Sequence, residues 1–263
     1  MSGDGTVGKA LKVLDQVAAF KRPVRFGELQ EHSDFPKATL YRFLQTLTNQ
    51  GMLAYDAERQ TYTLGIRLVR LAHAAWTQSS LAPIARPFLD NLSKACDETV
   101  HLAQLDASQV LYVDKRNARE PVEMYSQAGK VGPTYCTGVG KAMLAFLDEE
   151  TLERTIAQQS FHRFTPSTLA SEAELRAELK AIRERGYGFD REEHEPGIVC
   201  IAAPIRTPSG QLLGALSVTG PTSRTSLEQL ETWAPRVTDT AAQIGREAQA
   251  WRFPETHRQK VTS

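Results

Sequence analysis

One amphipathic stripe dictates how the N-terminal part of this chain must fold. Over residues 36–50, Leu40, Phe43, Leu44 and Leu47 fall at i, i+3, i+4 and i+7, which puts four large apolar groups on one face of an α-helix. Pro36 stands where a helix opens, since a missing N–H costs nothing there. Gly51 stands just past the end, where a left-handed residue closes a helix. Such a stripe needs partners, and the flanking sequence supplies them. Residues 6–20 repeat Val7, Ala10, Leu11, Leu14, Val17 and Ala18 at helical spacing, with Pro23 as the stop. Residues 26–32 make a second, short helix around Leu29. Residues 52–55 and 61–64 alternate apolar and polar across a polar connection, a hairpin pattern.

Three helices and a hairpin within residues 1–64 predict a winged helix-turn-helix. The polar side of its third helix carries Lys37, Ala38, Thr39, Tyr41, Arg42 and Gln45, then Thr46 and Asn49. Lys37 and Arg42 can neutralise phosphates, and Arg42 or Gln45 can pair with base edges in a major groove. The small Ala38 and Thr39 let the helix N-terminus, with its free N–H groups, approach a phosphate. The alternatives are a solvated helix face or a module that binds protein. Residues 1–64 carry eight basic and seven acidic side chains. A domain so nearly neutral holds DNA weakly alone, which points to a dimer on an inverted repeat.

Residues 66–79 read as a further helix with Leu68, Leu71, Ala72, Ala75 and Trp76 as its stripe, before a polar break at 77–80. A helix at 83–95 follows, with Ile84, Phe88 and Leu92 inward. Strands are expected at 100–105, 110–114 and 122–126, and helices at 140–147, 149–158 and 172–185. Further strands fall at 187–191, 198–207 and 212–219, the last two joined by the turn Pro208-Ser209-Gly210. A final helix is expected over residues 226–251. Interleaved strands and helices with antiparallel hairpins predict an α+β sheet flanked by helices. The divisions are residues 1–64 for DNA, 65–80 as linker helix, 81–253 as ligand-binding domain and 254–263 as tail.

The chain has 263 residues, which favours two domains. Its longest strongly apolar stretch, from Gly197 to Ile205, falls far short of the ~20 residues of a membrane span. Met1-Ser2-Gly3-Asp4-Gly5 lacks the basic and apolar regions of a signal peptide, so the expectation is a cytoplasmic protein with no membrane partner. Cys96, Cys136 and Cys200 are odd in number and show no CxxC spacing, which argues against disulfides or structural zinc. No metal and no cofactor is expected.

Two segments of the second half carry candidate chemistry. The first, Tyr135-Cys136-Thr137-Gly138-Val139-Gly140-Lys141-Ala142, is a Gly-rich turn feeding a helix. Gly138 and Gly140 are expected to bend the backbone and leave room for a ligand, with N–H groups aimed at an anion. A phosphate-binding P-loop fails, because Tyr135 stands at its first Gly position and Ala142 at its last. A short carboxylate is favoured over a nucleotide, against the plainer reading of an ordinary helix start. The second segment runs from Asp190 to Cys200. It can be read as a cysteine enzyme with Cys200 as nucleophile, His194 as base and Asp190 as orienter. It can also be read as a metal site of Asp190, Glu193, His194 and Cys200, or as plain core, since Cys200 stands between Val199 and Ile201.

Taken together, four ordered motifs resemble the IclR family of transcriptional regulators. They are residues 37–44 with Gly51, residues 137–145, residues 186–193 continuing through 197–205, and residues 215–221. The resemblance runs from Gly8 to about Trp251. Within the family the chain is similar to the repressors of keto-deoxygluconate and related sugar-acid catabolism, through residues 41–46, 99–102 and 124–126. One departure is Cys136-Thr137-Gly138, where many members carry a serine or alanine run.

The resemblance implies a winged helix-turn-helix, a linker helix and a GAF-like α/β effector-binding domain. It implies a homodimer, extended in some members to a homotetramer, and small carboxylate effectors. It gives Gly138 and Val139 as backbone donors and Asp190, Ile198, Cys200, Ser217 and Thr219 as pocket wall, so Cys200 becomes lining and not nucleophile. His101 and Tyr125 stand between two roles, donors for sugar hydroxyls or satisfied core residues. Asp190 is expected to accept hydrogen bonds from ligand hydroxyls, because a bare carboxylate repels an anion.

Overall fold

A computed structural model describes residues 5–79 and 81–250, the side chains of residues 76–79 and 250 excepted. The chain divides into two compact units, Met1–Gln78 and Ser79–Ser263.

The first unit runs α1 (Thr6–Ala19), β1 (Val24–Arg25), α2 (Phe26–Glu31), α3 (Lys37–Asn49), β2 (Leu53–Asp56), β3 (Thr61–Leu64) and α4 (Ile66–Ser79). The strands form an antiparallel sheet in the order β1-β3-β2. Leu40, Phe43, Leu44 and Leu47 of α3 are all buried, against Val13, Leu14, Val17, Leu29 and Leu53. Gly51 closes α3 at φ +68°, a conformation that a side chain disfavours. The expected hairpin is present, and β1 adds an edge that the sequence reading did not include. Two helical stripes depart from expectation. Val7 and Leu11 of α1 are exposed. Along α4 only Leu68 packs on the core, while Leu71, Ala72 and Ala75 are exposed, because α4 runs past the end of that core. Trp76 lies outside the described side chains.

The second unit opens with α5 (Ala82–Cys96), β4 (Thr99–Asp106), β5 (Gln109–Arg116) and β6 (Val131–Gly132). Then come α6 (Gly138–Leu144), α7 (Glu149–Ile156) and α8 (Glu172–Arg185). It closes with β7 (Gly188–Arg191), β8 (Ile198–Arg206), β9 (Leu212–Pro221), α9 (Leu227–Thr232) and α10 (Ala234–Glu247), with a 3-10 turn at Ala248–Ala250. Six strands make one sheet in the order β6-β5-β4-β9-β8-β7, antiparallel throughout. Buried residues run consecutively along β9 and from Val199 to Ala203 in β8, so both faces of the central strands are covered. Helices α5 and α10 pack together against the sheet, and α6 lies on β7, β8 and β9 with α8 behind it. Val139, Ala142 and Met143 of α6 meet Ala103, Ala202 and Ala215. Small residues on the strands let this helix sit low on the sheet, and all seven of its residues are buried.

Three expectations are corrected here. Residues 122–126 form no strand. The free edge of β5 is already taken: Tyr112 and Lys130 share a backbone hydrogen bond, as do Gly129 and Tyr112, and Val110 pairs with Gly132. The helix expected over 226–251 breaks into α9 and α10 at Trp233, where Pro235, with no N–H to donate, opens the second piece; Trp251 and the tail 254–263 lie outside the described residues. The buried face of α5 holds Ala82, Ala85, Leu89, Leu92 and Cys96, with Ile84 and Phe88 half-buried beside it.

Candidate functional site

In the first unit, helix α3 leaves Lys37, Ala38, Tyr41, Arg42 and Gln45 exposed and Thr39 half-buried. Pro36 provides no side-chain cap for the helix N-terminus. The N–H of Thr39 bonds the Pro36 carbonyl at 2.8 Å, which leaves the first turn's earlier N–H groups for an external acceptor. Gln45 Nε2 donates to Asn49 Oδ1 at 3.1 Å, a weak surface pairing that a base edge can replace. Tyr41 differs from the rest: its ring stands edge-on to Phe26 at 6.2 Å and shares a groove with Tyr55 and Tyr62. At the other end, Arg67 of α4 donates to the Gln50 carbonyl at 2.8 Å, a cation placed at the negative end of α3.

In the second unit, all seven residues anticipated for an effector surround one cavity of about 30 Å³: Gly138, Val139, Asp190, Ile198, Cys200, Ser217 and Thr219. The fold explains their convergence. Antiparallel register sets Cys200 opposite Thr219 and Asp190 opposite Cys200, while His101 of β4 stands opposite Ser217. Helix α6 then brings Gly138 and Val139 over these strands. Thr137 caps the helix by accepting from the Gly140 N–H at 3.3 Å, so that N–H is committed internally and does not join an anion site.

The glycines work by closeness and not by bending, for neither Gly138 nor Gly140 has a positive φ. A Cβ at Gly138 would collide with Cys200 Sγ, and one at Gly140 would meet the Thr134 backbone and Thr137 Oγ1. They let α6 touch β8. Making room for a ligand is not their main work.

The sequence reading missed five further lining residues: Tyr112, Ser126, Thr137, His194 and Glu195. His101 is a satisfied buried residue that also lines the cavity. It is 2% exposed, with Nδ1 beside Thr219 Oγ1 at 3.2 Å and Ser217 Oγ at 3.4 Å and Nε2 beside Ser126 Oγ at 2.8 Å. Burial, helped by the Lys115 ammonium, lowers its pKa to about 3, so the imidazole is neutral. Tyr125 is not brought to the cavity. Its hydroxyl donates to the Val131 carbonyl at 2.9 Å, its N–H donates to the Glu195 carboxylate, and its ring meets His194 edge-on. His194 also meets Phe164. Thr165 and Thr168 hold the Glu192 and Glu193 carbonyls at 2.6 Å each. Together these contacts tie the 192–195 segment, whose His194 and Glu195 line the cavity, to Tyr125 and residues 164–168.

The cysteine-enzyme arrangement is absent. Burial, with Asp190 adding to it, pushes the Cys200 thiol far up from its ordinary value, so no thiolate forms at neutral pH. Asp190 Oδ1 accepts the Glu193 N–H at 2.7 Å, and the His194 ring faces Tyr125 and Phe164. Among the described residues no group of three or more His, Cys, Asp or Glu is arranged to hold a metal ion, and no helix is long and apolar enough to cross a membrane.

Comparison with known proteins finds relatives for both units. Residues 6–57 match the IclR helix-turn-helix domain, and residues 73–246 match the bacterial transcriptional regulator IclR C-terminal domain. The chain is 33% identical over 241 residues to the HTH-type transcriptional regulator KdgR of Escherichia coli, covering 91% of this chain and 92% of that one. It is 30% identical to the transcriptional repressor IclR of Escherichia coli, with 90% and 87% covered. Among solved structures, Thermotoga maritima IclR superposes with a TM-score of 0.75 at 28% identity, over 91% of this chain and 97% of that one.

Proposed function

The chain belongs to the IclR family of transcriptional regulators, and on that premise we propose that it is a repressor whose grip on an inverted-repeat operator is set by a small hydroxylated carboxylate, a sugar acid or keto acid, bound in the α6 cavity. Its relatives are regulators and not enzymes. The observation that carries the effector reading is the convergence of Gly138, Val139, Asp190, Ser217 and Thr219 on one enclosed space. The start of α6 and the hydroxyls of Ser217 and Thr219 line the same space, which suits an anionic end and a hydroxylated body. At about 30 Å³ the cavity holds roughly two waters, so an acid enters only as lining residues such as His194 and Glu195 move aside. Occupancy then favours one of two states of the assembly.

On the DNA side, Lys37, Ala38, Thr39, Arg42 and Gln45 read the operator, with Tyr41 at the edge of the surface. The near-neutral balance of residues 1–64 supports a homodimer, or a pair of dimers, acting in the cytoplasm on half-sites one helical turn (~34 Å) or a multiple apart. Operator selection followed by footprinting and sedimentation tests this. Paired protection on an inverted repeat by an oligomer is expected. Protection of a single half-site by a monomer contradicts it. A thermal-shift panel of sugar acids, keto acids and aromatic acids tests the effector class, since a ligand of the folded state raises apparent stability.

A further inference from the structure

The cavity offers an anion no cation. Among the described residues that line it there is no lysine or arginine, and its ionisable members include Asp190, Glu195, His101 and His194. Burial lowers the pKa of both histidines. The buried Lys141 is 0% exposed, and its ammonium is paired with Glu193. The Lys115 ammonium, on the β5 side, donates to the Ser126 carbonyl at 3.1 Å. A carboxylate in this cavity therefore meets a buried acid, Asp190, with no cation in the lining to offset it.

We infer that Asp190 takes up a proton when an acid binds and presents its carboxyl O–H to the ligand, so that the cavity binds an acid and a proton together. The inference rests on the reading of this cavity as the effector site. It removes the repulsion that a carboxylate pair would otherwise suffer, as when two buried acids share one proton. Asp190 is 8% exposed, and its Oδ1 already accepts the Glu193 N–H at 2.7 Å. A carboxyl oxygen with a proton turns the same wall from acceptor to donor.

The surroundings favour the proton. In the empty protein burial, then the charge of Glu193, raises Asp190 to about 7, with Lys141 opposing. A ligand carboxylate adds a further negative charge and raises it more. Of the other groups around Asp190, Glu193 is also raised by burial, with its paired Lys141 ammonium opposing; the remaining ones do not compete for that proton at neutral pH. Cys136 ahead of α6, Cys200 on β8 and Tyr112 on β5 are all pushed upward by burial and stay neutral. His101 on β4 is neutral as well.

Calorimetric titration of the full-length protein with gluconate and with pyruvate, between about pH 6 and pH 9 in buffers of differing ionisation enthalpy, tests this. The expected result is proton uptake approaching one per acid bound, with affinity falling up to about tenfold per pH unit above 7. Asp190→Asn, which presents an amide N–H in place of the carboxyl O–H, is expected to bind with little pH dependence and to exceed wild type at the alkaline end. Binding that is flat with pH and takes up no proton overturns the inference and leaves the effector reading standing. If neither acid binds at any pH, both fall. Should Asp190→Asn fail to fold, the wild-type proton count decides alone.

Discussion

His101 Nε2 and Ser126 Oγ lie 2.8 Å apart, and the opposite ring nitrogen lies 3.2 Å from Thr219 Oγ1. One neutral imidazole thus ties the segment that precedes β6 to the central strand β9. A neutral imidazole has one donor and one acceptor, so it fixes which way each neighbouring hydroxyl turns. The wall presented to a ligand is ordered before the ligand arrives. Thr219→Val, which keeps the shape and removes the hydroxyl, is therefore expected to weaken gluconate binding by about tenfold, the worth of one hydrogen bond at ~1 kcal/mol or slightly more. Pyruvate binding is expected to change far less. Calorimetry on both acids checks this, and equal losses for the two would remove hydroxyl recognition from the account.

On helix α3 the exposed Arg42 and the uncapped first turn have separable roles. Arg42→Ala is expected to weaken operator binding and to reduce the slope of log affinity against log salt by about 0.9, the signature of one lost phosphate contact. Thr39→Ala is expected to weaken binding with that slope unchanged. Gel-shift titration at several salt concentrations reads both effects, and circular dichroism shows whether the fold is kept. Wild-type binding by both variants would detach this helix from the operator.

The Lys141–Glu193 pair is fully enclosed, with side chains 0% and 3% exposed. Lys141→Met leaves Glu193 buried beside Asp190 without its cation, so it is expected to destabilise the protein by about 3–5 kcal/mol. Replacing both, as Lys141→Met with Glu193→Leu, is expected to recover most of that loss, because a well-packed apolar pair has no desolvation cost. Chemical denaturation of the three proteins checks the order. A double variant no better than the single would show that the pair holds more than itself.

Asp190 also predicts the pH dependence of stability. Burial raises its pKa in the folded protein to about 7 from an ordinary 3.8. Between those values the folded state binds more protons than the unfolded one, so stability falls as pH rises through this window, by up to about 1.4 kcal/mol per unit. Above about 7 the loss is complete. Asp190→Asn removes this contribution: relative to wild type it is expected to gain stability at pH 8 and to gain little near pH 4. Thermal melts across the range would contradict the assignment if the difference between the two proteins did not grow with pH.

Much of this arrangement is legible in the sequence, and what is not has physical causes. Helix α3 can be read because its four apolar residues are also its four buried ones. Five of the seven anticipated cavity residues come together through strand register and the other two, Gly138 and Val139, on α6; the family resemblance supplied the set in advance. Alternation alone would not have found it. Ser126, His194 and Glu195 were missed because they lie in irregular segments, where no period says which way a side chain points. Residues 122–126 read as a strand on local pattern, yet Gly129 to Gly132 had already taken the β5 edge. The roles of Gly138 and Gly140 were half right: a glycine is needed there, for contact with Cys200 and Thr134 and not for a bend. The odd stripe of α4 fits an apolar face that the described residues of one chain do not cover.

The central claim is that an acid in the α6 cavity changes how α3 holds DNA. Fluorescence anisotropy of a selected operator, titrated with the full-length protein at rising gluconate, measures this coupling directly. The account predicts a DNA dissociation constant that rises with gluconate and saturates as the cavity fills, with the response in Thr219→Val displaced to higher concentration by about the same tenfold as its binding. DNA isotherms that superimpose at every gluconate concentration, in a protein shown by calorimetry to bind gluconate, would contradict it.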